Sequence, residues 1–288
     1  MSLLAMLFLL NSAMAQVRSH KHPSLLVKYT EPNLEELSGM VIWNNTFWCI
    51  NDSGHDAILN VMNLSTGAPE RTILVENAEN SDWEAIAQDS LYFYIGDFGN
   101  NSGRRADLTI YRIEKSDLLI PFATVVPAKV MLINYPVSLD FPKKANHTDY
   151  DAEAMVVIDG IVYLFTKRWV SGGTEIFRTP FSEGQATLEL SGFLPVNVLV
   201  TDAHYDLQKR ILYLLAYHKP LTGTNVIIYA LPGEPETWNL SSGERLNLGM
   251  TLKQAEALAV QHGNTIFIGC EGYKKIIRNR PAIYILEH

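Results

Sequence analysis

The chain has 288 residues, 47% of them hydrophobic and 19% charged, with a formal net charge of −8. That length and composition suit one large domain or two small ones and exclude bulk disorder. The acidic balance excludes non-specific nucleic-acid binding, which needs a basic surface.

Leu3 to Leu10 is almost wholly apolar, and Ala13-Met14-Ala15 offers a small-residue cleavage site. Residues 1–15 therefore read as a secretory signal peptide, and a secreted or periplasmic location is expected. Eight apolar residues are too few to cross a bilayer and no later stretch is longer, so no membrane span is expected. Residues 16–24, with Arg18, His20, Lys21 and His22, read as a tail, and 25–288 as one domain. Leu25 to Tyr29 reads as a lone strand.

After it, one phrase recurs five times: a polar or acidic residue, small or apolar residues, a short turn, then a β-rich apolar run. The copies begin at Ser38, Glu84, Glu153, Asp202 and Glu256, at intervals of 46, 69, 49 and 54 residues. Repeats of roughly 40–50 residues built from short strands are the signature of propeller blades. The first four repeats each hold four predicted strands. Insertions at 114–128 and 136–150 explain the long second interval, and 114–120 is the one helical candidate. The fifth repeat holds only three strands (256–260, 264–269 and 282–286). The strand at 25–29 is expected beside 282–286, closing an all-β, five-bladed β-propeller and covering its edges. Cys49 and Cys270 fall at non-equivalent places in their repeats, so two free, partly buried thiols are expected.

In a propeller the first strand of each blade lines the central channel. Ser38, Glu84, Glu153, Asp202 and Glu256 should therefore converge on the axis. Carboxylates gathered there repel unless protonated or bridged by a cation. An all-oxygen donor set suits Ca²⁺, which takes 6–8 oxygens at about 2.3–2.6 Å. Asp82 and Asp151 precede two of these residues by two positions, as outer acceptors or as solvated loop residues. A second set stands where strand two ends: Asp52, Asp97, Lys167 with Arg168, Tyr217, and Cys270 with Glu271. Arg105 and Lys275 lie in the loops that follow. Cations gathered at one mouth of an acidic protein point to an anionic, phosphorylated ligand.

Asn51-Asp52-Ser53-Gly54, Asp82-Trp83-Glu84-Ala85-Ile86-Ala87 and Tyr94-Ile95-Gly96-Asp97-Phe98-Gly99-Asn100-Asn101 resemble a group of secreted bacterial propellers of unassigned function. More remotely, the chain resembles the calcium-activated nucleotidases, or apyrases. That resemblance implies a five-bladed propeller with one Ca²⁺ in the channel, held at positions matching Ser38, Glu84, Glu153, Asp202 and Glu256. The family's Asp-Asp-Arg-Thr-Gly loop reads Asn51-Asp52-Ser53-Gly54 here, without one acid and the arginine.

Two functions are open at this point. One is a calcium-dependent phosphohydrolase, or a binder of a small anionic ligand. In it Asp52 or Asp97 would be the base, and Arg105, Arg168 and Lys275 would neutralise developing charge. The other is a non-catalytic, monomeric propeller with structural calcium that binds a glycan or a partner protein.

Overall fold

The computed structural model describes residues 17–29, 34–137, 144–218, 225–251, 253–261, 264–272 and 280–287. The expected signal segment 1–15 and Lys275 lie outside them. Five sheets, antiparallel apart from three added edge segments, stand in a ring, each with its first strand innermost. Blade 1 comprises Leu37–Trp43, Thr46–Asn51, Ile58–Asn63 and Pro69–Glu76. Blade 2 comprises Trp83–Gln88, Tyr92–Asp97, Thr109–Glu114 and Lys129–Asn134. Blade 3 comprises Ala152–Ile158, Ile161–Thr166, Thr174–Pro180 and Glu189–Leu194. Blade 4 comprises Leu199–Asp206, Ile211–His218, Asn225–Pro232 and Glu244–Thr251.

Blade 5 has Ala255–Gln261, Thr265–Cys270 and Ala282–Glu287. Its fourth strand is Ser24–Lys28, antiparallel to the last, with Leu25 opposite Tyr284 and Lys28 opposite Ala282. The expected closure is therefore present. The helical candidate is a single turn, Lys115–Leu118. Cys49 and Cys270 are free and buried. No helix among the described residues is long and apolar enough to cross a membrane.

The local causes are plain in the residues. The second strands are packed on both faces, so they read as continuous apolar runs such as Phe47-Trp48-Cys49-Ile50. Outer strands alternate: in Pro69–Glu76, Ile73 and Val75 are buried and Leu74 is exposed. Hairpins turn at Asn44-Asn45 (φ 50° and 60°) and Asp159-Gly160 (φ 50° and 77°). Two positive φ angles in succession give the two-residue turn that matches strand twist. The core is five apolar layers between neighbouring blades. Trp48, Trp83 and Phe93 fill the first, and Phe47, Met40 and Phe267 the one that closes the ring.

The segment read as a tail is ordered. Val17–His20 pairs in parallel with Glu244–Thr251 at the outer edge of blade 4, before the chain enters blade 5 at Ser24. Two other segments do the same. Val125–Pro127, just before the outer strand of blade 2, pairs with the outer strand of blade 1. Gly184–Thr187, just before the outer strand of blade 3, pairs with that of blade 2. Each covers backbone groups that an open edge would leave unpaired.

Candidate metal centre at the channel mouth

Each innermost strand carries a β-bulge near its start. Register skips one residue at Ser38, Glu84, Glu153, Thr201 and Glu256. A bulge leaves one residue out of the ladder and re-aims its side chain, here toward the channel mouth. Four of the five expected ring positions are these bulge residues. In blade 4 the equivalent is Thr201, and Asp202 stands one residue later, opposite Leu215.

Hydrogen bonding gives the same alignment. The Ser38 hydroxyl donates to the Trp83 carbonyl at 2.6 Å, and the Thr201 hydroxyl to the Ala255 carbonyl at 2.7 Å. Each acceptor is the residue just before the next blade's bulge. Asp202 is a clamp between blades 4 and 5. Its buried carboxylate accepts from the Ala203 amide at 2.7 Å and the Leu258 amide at 2.6 Å.

A second tier follows from the strand-two exits. The amide of Asp52 donates to the Glu36 carbonyl, that of Lys167 to Asp151, and that of Glu271 to Gln254. Each acceptor lies two residues before a bulge. In blade 2 the same bond comes from Gly99, to the Asp82 carbonyl at 3.2 Å. Blade 2 thus has no side chain at this height. A Cβ on Gly99 would lie 2.5 Å from both Asp82 Oδ2 and Glu84 Oε1. The glycine leaves the space those two carboxylates occupy.

One oxygen each from Asp52, Asp82 and Glu84 lies within 4.8 Å of the other two. Asn80 holds the group together. Its Nδ2 donates to the Asn51 and Asp52 carbonyls at 3.0 Å, and its Oδ1 accepts from the Trp83 amide. Asp82, left open above as an outer acceptor or a solvated residue, is a member of the cluster. Asp151 is an outer acceptor, taking hydrogen bonds from the Asn100 amide at 2.6 Å and the Trp169 indole at 2.7 Å.

The electrostatics are those of crowded acids. Burial, then Asp52, pushes the Asp82 carboxyl up to about 8. Burial, then Glu153 and Asp52, holds Glu84 well above the usual carboxylate range. Burial, then Glu256 and Asp52, pushes Glu271 up to about 9. The Glu256 Oε2 is buried without a hydrogen-bond partner. Glu153 is paired with Lys167 Nζ at 2.9 Å.

This donor set fits Ca²⁺. Asp52, Asp82 and Glu84 supply only oxygen. Two ligands of one calcium, each about 2.3–2.6 Å away, reach about 5 Å apart, which covers the observed spread.

The expected catalytic cations are committed elsewhere. Arg105 pairs with Asp97 at 2.8 Å and Asp107 at 3.2 Å, and donates to the Gly99 and Asp97 carbonyls. Asp97 is buried and also accepts from the Ser81 and Asp82 amides. It shapes the loop that presents Asp82 and is not exposed as a base. Arg168 pairs with Asp149 at 3.5 Å and Glu175 at 3.8 Å, and packs over Phe193. Of the four described residues expected to carry catalysis, Asp52 alone is placed in the cluster. Thr201, Asn80 and the inward reach of Lys167 were missed. The serine–threonine pairing of Ser38 with Thr201 was the available signal for the first.

No protein-family model matches the chain, and no curated protein matches it. Solved structures do, at low identity. A bifunctional GH43-CE structure from Bacteroides eggerthii is 12% identical, with a TM-score of 0.50 over 91% of this chain and 34% of that one. Kuenenia stuttgartiensis hydrazine synthase is 9% identical, with a TM-score of 0.42 over 91% and 64%. The exo-β-1,3-galactanase of Phanerochaete chrysosporium is 15% identical, with a TM-score of 0.42 over 68% and 45%. The chain thus spans less than two thirds of the length of each. Likeness at this level concerns the fold alone, and by fold this chain is a five-bladed β-propeller.

Proposed function

We propose that the chain is a calcium-binding propeller that receives an anionic ligand at the metal-bearing mouth of its channel. The observation that carries this reading is the convergence of Asp52, Asp82 and Glu84 beside Gly99. Those three side chains would hold the ion. Bound there, calcium would supply a positive field for a phosphoryl or carboxylate oxygen. The engagement of Arg105 and Arg168 with acids supports binding over phosphoryl transfer, because the guanidinium groups that would neutralise a leaving group are already paired. The apolar Leu3 to Leu10 run and the Ala13-Met14-Ala15 site support an exported protein. Extracellular calcium modules work at about 10⁻⁴–10⁻³ M, a range that a few carboxylates can serve.

The test is a ligand panel of nucleotides, phosphate esters and acidic oligosaccharides, read by thermal shift and by product release, each with calcium or with chelator. At least one anionic class is expected to raise the melting temperature only when calcium is present, without turnover. A panel with no calcium-dependent shift would remove the ligand reading, and turnover would restore the hydrolase.

A further inference from the structure

We propose that the ammonium of Lys167 is the resident cation of the channel, serving Glu153 as a bound metal would serve Asp52, Asp82 and Glu84. Lys167 leaves strand two of blade 3 with its amide fixed to the Asp151 carbonyl at 2.6 Å. From there its side chain turns into the mouth. Nζ lies 2.9 Å from Glu153 Oε2, and the two side chains are 7% and 5% exposed. The same Nζ stands 5.2 Å from the Trp169 ring centroid and 5.6 Å from that of Tyr217. Aromatic faces at that range favour a cation. Burial alone would lower the ammonium's pKa, but Glu153 and then Glu256 outweigh it and hold it well above its usual value.

The position itself makes the case specific. Blades 1 and 5 place carboxylates, Asp52 and Glu271, where blade 3 places Lys167. One blade has thus reversed the charge at a shared height. The mouth becomes lopsided, with the side of Glu153 neutralised from within. A metal is then drawn to the side of blades 1 and 2. That placement rests on the calcium reading; the counter-cation role of Lys167 does not.

The test compares wild type, Lys167→Met and the double variant Lys167→Met/Glu153→Gln in chelator. Removing one partner of a buried ion pair is strongly destabilising. Lys167→Met should therefore melt about 6–20 °C lower. The double variant should recover half of that loss or more, because the stranded acid is gone. A Lys167→Met chain that fails to fold while the double variant folds supports the proposal equally. A single variant that melts with wild type, or a double variant no better than the single, overturns it, as only a space-filling role would remain. In calcium, the gain in melting temperature should be larger for Lys167→Met than for wild type. If calcium moves none of the three proteins, the calcium reading fails, while the comparison in chelator still decides the role of Lys167.

Discussion

Chelation is expected to lower the melting temperature by about 5–10 °C, and added calcium to restore it. A ligand at a hundredfold excess over its dissociation constant stabilises by about 2.7 kcal/mol. For a domain of this size each kcal/mol moves the melt by about 2–4 °C. The physical source is the crowding of Asp52, Asp82 and Glu84, whose ionised forms oppose folding until a cation bridges them. Calcium should outperform magnesium, because Mg²⁺ demands a small octahedron at about 2.0–2.1 Å and sheds water reluctantly. Glu84→Gln gives a diagnostic pair of signs. It should melt at or above wild type in chelator, since a repelling charge is removed, and below wild type in calcium, since a ligand is lost. A wild-type melt indifferent to both chelator and calcium would count against the metal.

In chelator, stability should also fall as pH rises through neutrality. Unfolded Asp82 and Glu271 lose their protons near the ordinary carboxylate values. Folded, they keep them to about 8 and about 9. Between those limits the folded state binds more protons, so the stability they confer is full at low pH and drains as pH rises. Asp149 and Glu189, held below the usual carboxylate range, act the other way only at lower pH, and two further groups oppose the trend nearer neutrality. Burial lowers His204 to about 4, so its effect runs from there up to about 6.5. Burial lowers Lys115 to about 8, so its effect lies above that. The clean window is therefore about pH 6.5–8, where one group fully out of step costs about 1.4 kcal/mol per pH unit. With both groups out of step, the melting temperature should drop there by about 5–11 °C per unit. Saturating calcium should flatten the slope, because the metal displaces those protons. A melt in chelator that is flat or rising across that window would contradict the buried acidic cluster.

Much of this architecture is legible in the residues. Five copies of one strand pattern and an orphan strand at 25–29 require a closed ring, and burial on both faces explains why the second strands lack alternation. The ring of acids was readable to within one residue. Val200-Thr201-Asp202-Ala203 offers two adjacent polar residues, and only the backbone register decides which one bulges. A bulge has no periodicity to betray it. The latch at Val17–His20 was read as tail because edge pairing, with no apolar pattern of its own, holds it in place. Arg105 and Arg168, expected as free cations of the mouth, are each paired with acids. Their partners, Asp97 for Arg105 and Asp149 for Arg168, are set by how loops fold back, which strand patterns do not encode. Lys167 aligns with Asp52 once the repeats are superposed, yet its inward turn depends on the enclosure by Trp169 and Tyr217.

Asp52, Asp82 and Glu84 are proposed to hold one calcium ion. Isothermal titration of the metal-free protein with calcium tests it most directly, beside the Asp82→Asn/Glu84→Gln variant. One ion is expected to bind per chain, with proton release that grows as pH falls from 8 to 6.5, and binding should be lost in the variant. Absence of uptake by wild type, or equal uptake by a folded variant, would contradict it.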